Sequence, residues 1–374
     1  MTIRRLECHV FRVPIEAPVT TSFGTMTSRP ALFLRLVADD GAWGWGEVFC
    51  NFPAVGAEHR ARLADSLFGP LLAACAFDDP ERVREFLKEK VRRLAIQCGE
   101  PGPFAQVMGG IDQALWDIAG RRAGQPLWKL LAPGPGASPR VRVYASGLGP
   151  DDVARTALAA RAGGYAAFKF KVGFPHGKDR ANFEAIRAAL GAGATIMIDA
   201  NQAWSPENAA ERIAELAPFD PAWIEEPLAA DEPIAQWQAL RIRCAVPLAA
   251  GENLIGLPAF EQALSAGYLS CIQPDVAKWG GLTGARVVAL LARAHGAVFC
   301  PHWLGGGVGL AASLHLRAAL GPDGFAEVDA NPNPLREIVC PLAPREGWVT
   351  LSDAPGLGVE PDLGSLAPYR VKHG

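Results

Sequence analysis

Apolar and polar residues alternate over 3–13 (IRRLECHVFRV) and 31–37 (ALFLRLV), the period of half-buried strands. An Asp39-Asp40-Gly41 turn leads into AWGWGEVF, so the chain opens as an antiparallel meander. Between its first two strands, the polar PVTTSFGTMTSRP reads as a surface connection or a lid, and a second, apolar loop runs from Cys50 to Val55. Residues 57–97 have helical spacing. In PFAQVMGGIDQALWDIAGRRAGQPLWKLLA, Val107, Ile111, Leu115 and Ile118 stripe one helix face until Gly124 and Pro126 end it. Asp112 and Asp117 on this helix are expected in structural roles. After the Pro/Gly connector 132–139, eight apolar strands (VRVYAS, AAFKFKV, TIMIDAN, AWIEEP, VPLAAGE, YLSCIQPD, AVFCPHW, FAEVD) alternate with helical stretches such as 151–163, 179–190, 206–216 and 283–295. That alternation signals parallel βαβ units. The pattern lapses after Asn331. The expected division is an α+β domain over 1–131, a barrel over 140–335, and a segment over 336–374 that returns to the first domain.

Composition narrows the partners. A formal charge of −3 and pI near 6.2 give no basic field for nucleic acid. No uncharged apolar run is long enough for a membrane span. The eight cysteines show no CxxC spacing, and the start has no signal-like apolar core, so a cytoplasmic protein with reduced thiols is expected.

The strand ends carry the chemistry. Counting from Lys171, charged or imidazole residues recur at Asp199, Glu225, Glu252, Asp275, His302 and Glu327, at intervals of 28, 26, 27, 23, 27 and 25 residues. One βα unit has about that length, and a barrel gathers its strand ends at one face. Asp199, Glu225 and Glu252 end three successive strands, and such hard oxygen donors suit Mg²⁺. Of the adjacent pair, Glu225 is expected to face inward and Glu226 to lie outside it or behind it. Lys169 and Lys171 share a face, where mutual repulsion and a metal are expected to depress their pKa values. Asp275 is placed to orient His302, and a protonated Glu327 would donate to a developing oxyanion. Together these groups suit removal of a proton alpha to a carboxylate.

The series GGIDQALWDIAGRRAGQPLWKLL, KFK, IDAN, IEEP, GEN, QPDVAKWGGLTGAR, PHW and PGLGVEPD resembles the mandelate racemase subgroup of the enolase superfamily over nearly the whole chain. The resemblance implies a modified TIM barrel, (β/α)7β, under an α+β cap. It also implies Mg²⁺ on Asp199, Glu225 and Glu252, Lys171 and the Asp275–His302 dyad as bases, Lys169 as tuner, Glu327 as donor to the substrate carboxylate, and a homo-oligomer (dimer, tetramer or octamer).

The shared residues define a half-reaction. Dehydration of an acid sugar to a 2-keto-3-deoxy acid is expected; racemisation or epimerisation of a 2-hydroxy acid is the alternative, and a non-catalytic binding barrel is the alternative of another class. Specificity is expected from 20–30 and 50–55, where Phe23, Met26 and Phe52 are apolar and no arginine is evidently set to clamp a second carboxylate, which favours a monoacid. Asn201 and Asn253 are candidates for binding substrate hydroxyls. Two further motifs compete: GVGLAA at 307–312 resembles a dinucleotide loop but does not open from a strand, and Lys278 is a second-base candidate if the sixth strand runs on.

Overall fold

The computed structural model describes residues 2–21, 24–74, 76, 79–175 and 177–373. The chain opens with a long hairpin of β1 (Ile3–Thr21) and β2 (Gly24–Ala38), with β3 (Trp43–Val48) antiparallel to β2. Cys8 pairs with Leu34 and Val10 with Leu32, while Thr20 still pairs with Thr25 beyond a register shift between Pro14 and Val19. Most of the expected loop is therefore ribbon. It buries no continuous face there, so it lacks the alternation by which strands are read.

Helices Gly56–Leu63, Gly69–Ala73 and Pro80–Gln97 follow, with a π-helical turn joining the first two. Helix Pro101–Ala123 then crosses β3 at backbone contact. A Cβ at Gly46 would lie 1.9 Å from the Gly110 carbonyl oxygen, and one at Gly44 2.2 Å from that of Ala114, so only glycine permits this approach. Asp112 and Asp117 are buried in networks: Asp112 accepts from the Thr283 amide and hydroxyl, and Asp117 from the amides of Trp45 and Leu357.

The second body contains β4 (Arg140–Leu148), β5 (Ala167–Lys171), β6 (Thr195–Asp199), β7 (Ile224–Glu225), β8 (Leu248–Ala250), β9 (Cys271–Ile272), β10 (Val298–Phe299) and β11 (Ala326–Asp329). They lie in the order β10-β9-β8-β7-β6-β5-β4-β11, every neighbouring pair parallel. At the seam between β10 and β11, the Phe325 amide donates to Cys300 Sγ at 3.3 Å. Helices such as Val153–Ala162, Lys178–Leu190, Ala209–Leu216, Gly281–Ala294 and Gly307–Ala319 follow successive strands. Inward residues Tyr144, Ala167, Met197, Trp223, Ala249, Cys271 and Cys300 fill the barrel, so it is a packed core below its active face. The fold is a modified TIM barrel, (β/α)7β, with an α+β cap.

The C-terminal segment first adds β12 (Trp348–Thr350) antiparallel to β4, then reaches the cap. There Glu360 accepts from the Trp45 indole and Val371 donates to the Val10 carbonyl. No helix among the described residues is long and apolar enough to cross a membrane.

Candidate active site

Lys171, Asp199 and Glu225 end three adjacent strands in one register: Lys171 pairs with Asp199, and Asp199 with Glu225. The Lys171 ammonium sits 2.5 Å from Asp199 Oδ2. Lys169, two residues earlier and 1 % exposed, lies 2.7 Å from both oxygens of Glu225, 2.8 Å from Glu327 and 3.8 Å from Asp199, with the Tyr144 ring below it. Burial works against both lysine charges, yet the carboxylates outweigh it and raise both pKa values. The expected depression counted a bound metal as well as mutual repulsion; the repulsion by itself is outweighed, because each lysine contacts a carboxylate directly.

A second group lies on the far side of the barrel order. The His302 ring contacts Asp275 Oδ2 through Nδ1 at 2.7 Å and Glu252 Oε2 through Nε2 at 3.1 Å. Burial disfavours the imidazolium, but Glu252, Glu327 and Asp275 together lift its pKa to about 9. Asp275 is held in turn by the amides of Ala277 and Lys278. Lys278 reaches Glu252 at 2.6 Å and Asn253 Oδ1 at 3.0 Å, and packs over Phe49. Although β9 stops at Ile272, a turn beyond Asp275 brings this lysine to the same site as His302.

Glu327 differs from expectation in its charge. Burial would protonate it, but Lys169, His302 and the Ser146 hydroxyl lower its pKa to about 2, so it stands as a carboxylate rather than a donor. Its second oxygen accepts from the Trp303 amide at 3.2 Å. Glu226, with φ of 41°, turns away from Glu225 and accepts from Gln202 and Asn253. Burial and the charges of Glu252 and Asp199 push its pKa up to about 8, against the pull of Lys278 and Asn253.

A pocket of about 490 Å³ opens above these groups, lined by Lys171, Asn201, Gln202, Glu226, Glu252, Asn253, Lys278 and His302 on the barrel side. The cap side contributes Val19, Gly24, Met26, Phe49, Phe52 and Gln106. Phe23 lies outside the described residues. Asn201 donates to Asp199 through its backbone and side-chain amides. Arg29, the arginine of the 20–30 stretch, is buried and bound to Asp329 Oδ2 at 2.7 Å, so it is engaged beneath the pocket wall.

Asp199, Glu225 and Glu252 do not bring their oxygens into one tight cluster among the described residues; each carboxylate faces its own cation. Ser146, Gln273 and Glu47 join the site from outside the periodic series of strand-end charges. Gln273 donates to Glu225 at 2.6 Å, and its place two residues before Asp275 at a strand end is a usable signal. Ser146 carries no charge pattern. Glu47 comes from the cap, and only the fold brings it close.

Two family profiles match the chain: "Mandelate racemase / muconate lactonizing enzyme, N-terminal domain" over residues 5–132 and "Enolase C-terminal domain-like" over residues 152–365. Among curated relatives, the D-galactarolactone cycloisomerase of Agrobacterium fabrum is 32 % identical, covering 99 % of both chains. The 3,6-anhydro-alpha-L-galactonate cycloisomerase of Streptomyces coelicolor is 34 % identical over 98 % of this chain and 99 % of its own. A D-galactonate dehydratase of Ralstonia nicotianae is 32 % identical over 76 % of this chain and 74 % of its own. Of solved structures, a mandelate racemase/muconate lactonizing enzyme from Bordetella bronchiseptica superposes with a TM-score of 0.92 at 47 % identity, covering 98 % of this chain and 99 % of that one. A Streptomyces coelicolor racemase with bound magnesium gives 0.86 at 32 % identity, covering 99 % and 100 %. With both family profiles in sequence order and full-length relatives above 30 % identity, this chain belongs to the mandelate racemase/muconate lactonizing enzyme family of the enolase superfamily.

Proposed function

We propose that the protein removes the proton alpha to the carboxylate of an acid sugar and then expels the beta oxygen, giving a 2-keto-3-deoxy acid. The observation that carries this reading is that Lys171 and His302, each bound to carboxylates, line one pocket from strands on different sides of the barrel. Lys171 Nζ is the group that takes the alpha proton. His302 Nε2 holds a proton above neutral pH and delivers it to the departing oxygen; Asp275 fixes the ring. Lys169 and Glu327 fix the layer below, and Lys169 offers positive charge to the substrate carboxylate. Asn201 and Asn253 are assigned to substrate hydroxyls. Met26 and Phe52 exclude water from the cap side, a role extended to Phe23 from the sequence.

Mg²⁺ is the proposed cofactor, held by Asp199, Glu225 and Glu252. Six buried or nearly buried carboxyls (Asp199, Glu225, Glu226, Glu252, Asp275, Glu327) face four cations (Lys169, Lys171, Lys278, His302), an excess of two negative charges. Burial first, and then the neighbouring charges of Glu252 and Asp199, raise the pKa of Glu226, and the donors are the hard oxygens that Mg²⁺ takes. A cation held there would supply positive charge for the negative charge developing on the substrate, and would compete with Lys171 for Asp199, which would leave the amine able to act as a base. The substrate is a small carboxylate, and the enzyme is assigned to the cytoplasm as a homo-oligomer.

The test is a panel of acid sugars incubated with protein and Mg²⁺, read for 2-keto acid by semicarbazide trapping and for alpha-proton exchange in D₂O. Exchange with no elimination on any member would redirect the assignment to racemisation; neither signal would remove it. A second reading has its own support, because two curated relatives that match over 98–99 % of this chain are cycloisomerases. In it the expelled oxygen belongs to a ring and remains in the product. Lactone and anhydro acids on the panel separate the two readings: dehydration loses the mass of water, whereas ring opening leaves mass unchanged.

A further inference from the structure

Outside the pocket lining, β1, the π-helical turn Ala64–Phe68 and the C-terminal segment meet at Cys8, Asp65 and His373. Among the described residues, this is the one group of three His, Cys, Asp or Glu donors whose ligand atoms all lie within 4.8 Å of one another. We propose that Cys8 Sγ, one Asp65 oxygen and one His373 ring nitrogen form a site for a zinc-class divalent cation, which fastens the C-terminal segment to the cap.

The donor chemistry selects the metal. A thiolate, an imidazole and a carboxylate form a borderline-soft set that suits Zn²⁺ or Co²⁺ and not Mg²⁺, so this site does not compete for the catalytic ion. Thiolate and carboxylate together balance a doubly charged cation. His373 Nε2 and Asp65 Oδ2 stand 2.9 Å apart, a hydrogen bond that needs to open by only a few tenths of an ångström to fit around a metal with bonds of roughly 2.0–2.3 Å. Cys8 is 8 % exposed, whereas the Asp65 side chain is 44 % exposed, leaving a solvent side where water completes a tetrahedron. Binding releases the thiol proton to solvent and changes no oxidation state.

The frame that delivers His373 is fixed independently of any metal. Arg370 forms a bridge with Phe11, the Val371 amide donates to the Val10 carbonyl, and Arg62 Nε donates to the His373 carbonyl at 2.6 Å. These three contacts along the last residues of the chain hold the imidazole over Asp65 and Cys8.

The experiment adds Co²⁺ to the untagged full chain in Mg²⁺ buffer and follows the thiolate-to-cobalt absorption band, with Zn²⁺ as the displacing ion. One equivalent of Co²⁺ is expected per chain. Cys8→Ala should abolish the band, and His373→Ala, at a half-buried position outside the hydrophobic core, should weaken affinity at least about tenfold. Zinc should also slow amide exchange at 370–373 in the wild-type chain alone. Absence of the band in the wild type, its persistence in Cys8→Ala, or unchanged affinity in His373→Ala would each overturn the proposal; persistence would assign the band to another thiol such as the exposed Cys98.

Discussion

Lys171 and His302 differ in what holds them: the first leans on one carboxylate, the second is gripped from both ring nitrogens. In the proposed reaction this difference divides base from acid. Lys171→Ala and His302→Asn are each expected to lower kcat by about 10²–10⁴-fold with a smaller change in KM, measured on whichever acid the panel identifies. Retention of alpha-proton exchange by His302→Asn, with elimination lost, would fit the division of labour; retention of full turnover by Lys171→Ala contradicts it. These residues were legible in the sequence because each closes an apolar run at a fixed interval. Their charge states are not, since they depend on partners on other strands: Glu327 meets Lys169, Lys169 meets Glu225 and Lys171 meets Asp199. Gln273 and Ser146 are uncharged, so no periodic signal marks them.

At the scale of elements, the βα alternation was plain because strands buried on both faces read as short apolar runs between helical stretches. The full length of the β1–β2 hairpin was not, because its outer half mixes apolar residues such as Val19 and Met26 with threonines and prolines and does not alternate. Helix Gly307–Ala319 carries a test of how the elements are bound together. His315 is buried within it, its Nδ1 accepting from the Trp128 amide and its Nε2–H donating to the Leu357 carbonyl, both at 3.1 Å. Burial lowers its pKa to about 4 from 6.5, although the Leu357 bond pulls the other way. Between those values the unfolded chain binds the proton and the folded chain does not, so stability present above pH 6.5 is lost as pH falls toward 4. The loss reaches about 3 kcal/mol, since each tenfold change in proton affinity is worth roughly 1.4 kcal/mol. Urea unfolding followed between pH 7 and 4.5 should show this slope, and His315→Gln should start less stable at pH 7 yet lose less on acidification. Parallel curves for the two proteins would exclude the assignment.

At the scale of the whole molecule, the active site is finished only where the cap meets the barrel, and Glu47 is the main fastener there. It leaves β3 fully buried and accepts from the amides of Gly306 and Gly309, at the start of the helix that follows His302. Burial pushes its pKa up to about 8 while those two amides pull it back. Asn51 donates to the Leu304 carbonyl, and Gln113 spans from the Glu47 carbonyl to that of Val276, so the cap grips the segments after both Asp275 and His302. The glycines of LGGGVG serve this contact: a Cβ at Gly306 would lie 2.8 Å from Glu47 Oε1, and one at Gly309 1.9 Å from the Trp303 ring. What resembled a weak nucleotide-binding loop is thus a close-packed seat for a cap carboxylate. Glu47→Ala strands two buried N–H groups, at roughly 1–3 kcal/mol each, and loosens the support of His302. Its kcat should fall and amide exchange over 305–309 should quicken. Trp116→Phe breaks a different cap-to-barrel bond, the 2.8 Å contact to Thr283, and should leave both readings near wild type. Equal losses in the two variants would mean that any weakening of the cap contact suffices; a loss confined to Glu47→Ala would show that the cap acts on catalysis through the loop that carries His302.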